Sequence, residues 1–379
     1  MERIKSVPRP DWQEVVEARG LKWHTGETPY WCEDVYYRFT AEQIDTIERA
    51  TNELHERCLE AVQLVIDERR YDELKIPAHV VPMIEQSWEK EPPSVYGRFD
   101  LAYDGKSPPK MLEYNADTPT SLLEASVIQW DWLQAVHPGA DQFNSLHERL
   151  VAYWQSISGD LASSGPLGPI VHFASVDDVE DGMTAAYLAD TAVQAGLQVK
   201  LLAMDRIGWD PQHRELCDLE DMRIDTLFKL YPWEWLVHEP FAAYLRVANT
   251  LVIEPAWKMV LSNKGILPIL WEMFPGHGNL LPAYFDEPNG MFEYVKKPLL
   301  SREGANVTVH TMKEHVESQG EYGAEGYVFQ ELAPIPEIDG KRPVIGSWIV
   351  GQEAGGMGIR ESDGWVTGNT SRFVPHMFR

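Results

Sequence analysis

Apolar residues recur at helical spacing through one long stretch near the start of the chain. Ile44, Ile47, Leu54, Cys58, Ala61, Val62 and Val65 return every few positions between Thr40 and Arg70, which puts them on one face of an amphipathic helix. Thr40, with Gln43 three residues on, has the form of a capping box that starts it. After Val95 the period becomes two. Strands are predicted at Tyr96–Tyr103 and Lys110–Asn115, joined by a turn through Asp104, Gly105 and Pro108, so this stretch is a β-hairpin. A helix is predicted from Thr120 to Val136. Further on, a strand Ile170–Ala174, a helix Thr184–Ala195 and a strand Val199–Ala203 follow one another as in a parallel βαβ unit. Later strands are predicted at Thr226–Tyr231, Thr250–Glu254, Phe292–Lys297, Asn306–His310, Gly326–Leu332 and Val344–Gly351.

Composition narrows the classes. A chain of 379 residues with 44% hydrophobic positions, 14 Trp, 15 Tyr and 12 Phe has ample apolar surface for a folded core. Its length suits about two or three compact units. No apolar run approaches the roughly 20 residues that span a bilayer. Met1 to Asp11 is charged and contains proline, unlike a signal peptide, so the cytoplasm is the expected location. Cys32, Cys58 and Cys217 fit neither a disulfide framework nor zinc-ligand spacing and read as reduced, structural thiols. The 59 acidic against 33 basic residues leave a net charge of −26, which disfavours nucleic acid and anionic membrane as partners. The same excess suits a cationic substrate, although acidic surfaces also serve solubility alone.

The chemistry-bearing residues cluster on the hairpin. Residues two apart on a strand point the same way, so Arg98 and Asp100 share one face of the first strand, and Glu113 and Asn115 one face of the second. If those faces coincide, two carboxylates and an amide oxygen form a hard, oxygen-rich set suited to Mg²⁺, beside a guanidinium able to hold phosphate oxygens bidentately. Alone, such a hairpin is more often just a solvated face. Lys264 and Lys297 each adjoin apolar segments, where an ordinary surface lysine is less natural, and Lys296 faces away from its neighbour. The loop Ser301–Asn306 contains Gly304, whose freedom permits close approach to a phosphate. Gly351–Gly358 lacks the Lys-Ser/Thr ending of a Walker loop, and the first strand-to-helix turn lacks a dinucleotide fingerprint. His172, His238 and His277 have no paired nucleophile or carboxylate in the sequence pattern and read as structural.

The wording of several segments carries more than any one of them. Tyr96-Gly97-Arg98-Phe99-Asp100, then Glu113-Tyr114-Asn115-Ala116-Asp117-Thr118, then Glu254-Pro255-Ala256-Trp257, Asn263-Lys264-Gly265-Ile266-Leu267-Pro268, Lys297-Pro298, Arg302-Glu303-Gly304-Ala305-Asn306 and Gly358-Ile359-Arg360-Glu361 occur in that order. Together they resemble the synthetase domain of the glutathionylspermidine synthase family, from about residue 20 to the C-terminus. The resemblance implies a mixed α+β and α/β chain of ATP-grasp type with its elements permuted, including a pre-ATP-grasp βαβ substrate region. It also implies an ATP- and Mg²⁺-dependent carbon–nitrogen ligase that forms an amide through an acyl-phosphate.

Position by position, Asp100, Glu113 and Asn115 resemble the Mg²⁺ ligands and Arg98 the residue facing the transferring phosphate. Lys264 and Lys297 resemble the ATP-contacting lysines, Arg302, Glu303 and Gly304 lie in the loop over the phosphates, and Gln330, Glu331 and Leu332 form the edge facing adenine. Arg360 resembles a further anion-contacting arginine.

On the substrate side, Thr118 and Thr120 stand where the family has serines near glutathione, and Glu180 and Asp181 match two acids that serve glutathione and the polyamine. Leu230 replaces a Thr that presents a hydroxyl to glutathione, so the acid is expected to be less polar. The implied partners are a small carboxylate or peptide and an amine, a polyamine being one choice. The loop Ser163–Gly168 is a plausible boundary. Three regions are thus expected to form one catalytic unit: an N-terminal helix with the metal and phosphate hairpin (1–162), a βαβ substrate region (163–250) and a nucleotide region (251–379). A non-catalytic polyamine- or peptide-binding protein, or a small-molecule kinase on the same fold, is the alternative.

Overall fold

The structure, a computed structural model, describes residues 1–26, 29–162, 168–369 and 371–379. The expected boundary at 163–168 falls, apart from Gly168, outside the described residues.

The long helix runs from Ala41 to Asp67, and the Thr40 side chain and Gln43 form the reciprocal capping box at its start. Its apolar face, with Ile47, Leu54, Cys58 and Val62, is buried with Phe99, Leu101, Tyr114, Ile345 and Ile349. Thr51 Oγ1 and Ser347 Oγ share a 2.6 Å hydrogen bond across that seam. The helix thus covers one face of a five-stranded antiparallel sheet, whose order is Arg372–Val374, Glu353–Ser362, Arg342–Val350, Tyr96–Ala102, Lys110–Asn115. Strand alternation does the rest. Phe99 and Tyr114 stack at 3.8 Å on the helix side, so Arg98, Asp100, Glu113 and Asn115 are turned to the opposite face. Arg98 lies opposite Asn115 and Asp100 opposite Glu113, with the register slipping only beyond Asp100. The hairpin, early in the chain, is completed by strands from the C-terminal region.

A second antiparallel sheet has the order Ala283–Phe285, Tyr327–Glu331, Tyr294–Pro298, Thr308–His310, His315–Glu317. A third, all parallel, runs Leu251–Ile253, Thr226–Leu230, Ile170–Ser175, Gln198–Ala203, with the helix Val179–Gln194 as its crossover. Open parallel sheets bind ligands beyond the carboxyl ends of their strands. Here those ends are Ser175 and Leu230, and both strands run out toward the exposed face of the hairpin sheet.

Two expectations change in detail, and a segment to which the sequence assigned no element gains one. The crossover helix begins at Val179 rather than Thr184, because the Asp178 side chain caps it by accepting the Asp181 N–H at 3.0 Å. The helix expected from Thr120 begins only after Ser121, which sits at φ 68°, and its first part is a π-turn from Glu124 to Ile128. The glycine-rich segment 351–358 enters a ten-residue strand, Glu353–Ser362. A Cβ on Gly358 would lie 2.5 Å from Phe373, so glycine there admits a ring from the neighbouring strand. Among the described residues no helix is long and apolar enough to cross a membrane.

Candidate active site

The exposed face of the hairpin sheet floors a cleft of about 390 Å³, walled by the carboxyl ends of the parallel strands. Beside it, between the hairpin and the second antiparallel sheet, is a slot of about 100 Å³. Asp100, Glu113, Lys264, Gly304, Val344 and Thr367 border both. Every candidate residue named from the sequence lines one cavity or the other.

Arg98 lies flat across the sheet. Its Nε donates to Asp100 Oδ1 at 2.7 Å and its Nη1 to the Thr120 carbonyl at 2.8 Å, while the guanidinium sits 5.6 Å from the Trp348 ring. Gly346 makes this possible, since a Cβ there would come within 2.8 Å of Arg98 Cδ. Burial pushes the Asp100 carboxyl upward, with Arg98 opposing it. Burial acts the same way on Glu113, but Lys264, 2.9 Å away, and Lys297 overcome it and hold Glu113 down at about 2. Asn115 completes the row, its Oδ1 accepting the Thr118 N–H at 3.3 Å.

Lys264 Nζ also donates to the Ser301 carbonyl at 2.6 Å. Lys297 Nζ donates to the Leu112 carbonyl and Gln330 Oε1, at 2.8 and 2.7 Å, and burial lowers it to about 8. Its neighbour Lys296 leaves on the other face and lies 3.8 Å from the Tyr327 ring. The slot walls are apolar, with Val295, Val309 and Ile335 beside Leu332 and Glu331. Gln330 is spent internally, its Nε2 donating to the Met111 carbonyl, and the N–H groups of Glu331 and Leu332 donate to Pro282 and Glu293. The edge therefore presents carbonyls and side chains to the slot.

The loop Ser301–Asn306 closes over the border between the cavities. Glu303 and Gly304 have φ of 54° and 70°, and a Cβ on Gly304 would lie 2.4 Å from Val366. Asn369 Nδ2 donates to Glu303 at 2.6 Å. Arg302 reaches past the slot into the cleft, donating to Thr118 Oγ1 at 2.6 Å and Glu234 Oε1 at 3.0 Å. Arg360 is held by neutral oxygens, the Ser371 and Gly368 carbonyls and Ser121 Oγ, with its guanidinium 5.2 Å from the Tyr30 ring.

At the far end, Glu180 and Asp181 occupy the first turn of the crossover helix. Burial raises both, and the nearby Asp178 and Glu180 carboxylates help carry Asp181 to about 7. Thr120 bonds to Glu180. Leu230 ends its strand against the cleft, with only 1% of its surface exposed.

Sequence reasoning missed Ser121, Asp178, Glu234 and Trp235, which also line the cleft. Glu234 and Trp235 lie in the short helix Trp233–Leu236 just beyond the carboxyl end of the parallel strand Thr226–Leu230, and that position was the available signal. His172 pairs with Asp218 and His277 with Glu53, both away from the cleft.

Set among antiparallel and parallel sheets, the cavities belong to an ATP-grasp-type fold with a preATP-grasp region. The family described as glutathionylspermidine synthase preATP-grasp matches residues 3–379. The chain belongs to the glutathionylspermidine synthase family of carbon–nitrogen ligases. It is 42% identical, over 100% of both chains, to a Haemophilus influenzae protein whose name assigns it, provisionally, as an acid–amine ligase. Trypanothione synthetase of Crithidia fasciculata is 31% identical over 85% of this chain and 53% of its own. The bifunctional glutathionylspermidine synthetase/amidase of Escherichia coli is 28% identical over 90% and 58%. The chain thus spans little more than half the length of these last two. Among solved structures, a glutathione synthetase-like effector of Globodera pallida in its apo form superposes with a TM-score of 0.58 over 91% of this chain and 89% of that one, at 9% identity, which speaks for the fold alone.

Proposed function

We propose that this protein is a cytoplasmic ligase that uses ATP and Mg²⁺ to join a small carboxylate or peptide to an amine through an acyl-phosphate, with the regions 1–162, 163–250 and 251–379 acting as one unit. The observation that carries the reading is the shared border of the two cavities. A flat apolar slot opens directly onto Asp100, Glu113 and Lys264, the arrangement that a molecule with a ring at one end and a polyanion at the other requires.

The donor set fits Mg²⁺. Two carboxylates stand opposite each other in register, 18% and 32% exposed, with an amide oxygen next along the strand. Mg²⁺ commonly takes one or two protein carboxylates and completes its shell with water and substrate phosphate. When bound it would neutralise charge on the phosphate oxygens. Arg98 offers a planar fork to the transferring phosphoryl group, and Lys264 and Lys297 offer positive charge along the phosphate chain. Arg360, whose hydrogen bonds go to the neutral oxygens of Ser371, Gly368 and Ser121, suits the carboxylate of the acid. Glu180 and Asp181 suit the cationic amine, and Asp181, titrating near neutrality, is placed to take the proton the amine must lose before it attacks. The loop Ser301–Asn306, packed on Val366 and Thr367, keeps water from the acyl-phosphate.

The test is to incubate the protein with ATP, Mg²⁺ and a panel of carboxylate and amine pairs, one oxygen of each acid isotopically labelled. Amide should form with one ADP per bond, and the label should appear in inorganic phosphate. Label retained in a phosphorylated product would favour the kinase; nucleotide binding without turnover by any pair would favour the non-catalytic binder.

A further inference from the structure

Between the hairpin's end and the parallel sheet lies an ion pair shut away from solvent. Asp117 and Lys229 have side chains 1% and 0% exposed, and Asp117 Oδ1 accepts from Lys229 Nζ at 2.6 Å. Asp117 Oδ2 accepts the Trp233 N–H at 2.8 Å. Lys229 Nζ also donates to the Tyr231 carbonyl at 3.0 Å and lies 4.5 Å from the Trp233 ring. Burial pulls the lysine below its ordinary value, with Asp117 opposing. Removing two charges from water can cost more than their attraction returns, and apolar residues of similar volume often hold a core as well or better. The pair therefore calls for a reason other than cohesion.

The neighbours of each partner along the chain supply that reason. Asp117 leads into Thr118 and Thr120, Lys229 into Leu230, and Trp233 into Glu234 and Trp235, all of which line the cleft. Thr118 comes from the turn after the hairpin and Glu234 from the turn after a parallel strand, yet one guanidinium, that of Arg302, bonds to both. Arg302 is the part of the covering loop that reaches across the cleft. For it to hold there, two separate segments must present their oxygens at a spacing that one planar fork can bridge.

We propose that Asp117 and Lys229 are a positioning pair: by tying the two turns together behind the cleft lining they set the spacing of Thr118 and Glu234, and so allow Arg302 to latch the loop shut over the cleft. Neither residue touches a substrate, and both act through Arg302. The proposal rests on the ligase reading for what the closed loop protects, an intermediate that water would destroy.

The decisive measurement is amide hydrogen exchange in residues 302–306, with and without Mg²⁺ and a non-hydrolysable ATP analogue. In Asp117→Leu combined with Lys229→Met, apolar groups of similar size replace the pair. That variant leaves the Trp233 N–H and the Tyr231 carbonyl without these partners, so it should stay folded but melt somewhat lower than the native protein; it should bind the analogue with unchanged Kd, while the loop amides exchange about ten-fold faster or more. Glu234→Ala, which removes one latch acceptor and leaves the pair alone, should accelerate the same amides, and adding it to the double variant should accelerate them no further. If the apolar pair does not fold, Asp117→Asn with Lys229→Met keeps an acceptor for the Trp233 N–H and serves in its place. Unchanged loop exchange in the folded pair variant, with acceleration in Glu234→Ala, would overturn the proposal. Failure of the native protein to bind the analogue would instead count against the ligase reading, while the comparison without nucleotide still tests the pair.

Discussion

The two ends of the site are built on opposite electrostatic plans. At and beside the slot, charged groups have partners: Arg98 pairs with Asp100, Lys264 with Glu113, and Lys297 donates to a carbonyl and an amide oxygen. At the far end of the cleft, Asp178, Glu180 and Asp181 crowd one helix start, and burial raises Glu180 and Asp181. The first plan suits a ligand that arrives with its own metal and phosphates, because the protein's charges then rearrange rather than appear. The second suits a ligand that brings positive charge, since the site is poorly satisfied until one arrives. The sharpest ways to break this comparison are changes that should affect one end only.

The largest effect should come from the row proposed to hold Mg²⁺. Asp100→Ala or Glu113→Ala should lower turnover by roughly three orders of magnitude or more, the loss expected when charge stabilisation fails in a water-poor site. Both variants should still fold, because the side chains face the cleft and Phe99 and Tyr114 keep the helix-side packing. Circular dichroism with a coupled ADP assay checks both halves. Arg98→Lys should also fail, since a point charge cannot reproduce the fork that spans Asp100 and the Thr120 carbonyl.

Next comes Lys297. Lys297→Ala should weaken binding of a non-hydrolysable ATP analogue by about ten-fold or more, a loss of at least ~1.4 kcal/mol, and Lys296→Ala should leave it unchanged. Equal effects in calorimetry would refute the facing of that strand. A lysine held near 8, against an ordinary 10.5, binds fewer protons folded than unfolded between those values, so it makes stability rise with pH across that window. Phosphate oxygens would restore the charged form. ATP binding should therefore take up protons above about pH 8, visible as a buffer-dependent heat.

The end proposed to hold the amine should respond to pH in its own way. Asp181 titrates near 7 when folded against an ordinary 3.8, so the folded protein binds more protons than the unfolded chain between those values. Its contribution to stability is present at low pH and lost as pH rises through about 7. Asp181→Asn should remove that slope and make the protein more stable at pH 7, while abolishing the rise of kcat/KM for the amine through neutrality. A native profile flat between pH 6 and 8 would count against Asp181 as the proton acceptor. Nucleotide affinity should be the same in both proteins.

Legibility in the sequence divides along the same line. The hairpin's chemistry was legible because strand period is local: the spacing of Arg98, Asp100, Glu113 and Asn115 implies a shared face, and the pairing of Asp100 with Glu113 realises it. Lys297 against Lys296 is the same argument. The amine end was less legible. Residues 179–183 have weak apolar periodicity, so the cap at Asp178, rather than the pattern, decides where the helix starts and hence that Glu180 and Asp181 share its first turn. Contacts between distant segments left little local trace. Nothing local to Arg302 announces Thr118 and Glu234, and Asp117 and Lys229 meet across 112 positions. The strand through residues 353–362 was hidden by its glycines, which weaken strand propensity but are required by packing against Phe373 and Leu146.

The smallest effect, and the finest test of the contrast, concerns Leu230. It ends a buried strand, packs among the core residues with Phe228 and Ile253, and shows the cleft only its edge. On the proposed reading this apolar edge offers a polar acid such as glutathione no hydroxyl to bond, so the native protein should favour a less polar carboxylate. Sites built to bond a hydroxyl reject its absence strongly, whereas an apolar wall rejects an added polar group only weakly, by roughly ten- to a hundred-fold. Leu230→Thr should accordingly raise glutathione-dependent ATP hydrolysis several-fold, with spermidine present, and should cost about 1–3 kcal/mol of stability from lost apolar burial. Nucleotide binding should not move, because Leu230 lies in the cleft and not the slot. Efficient glutathionylspermidine formation by the native protein would show instead that Leu230 is tolerated and that specificity for the acid is set by other residues, with Arg360 and Thr118 the first to examine.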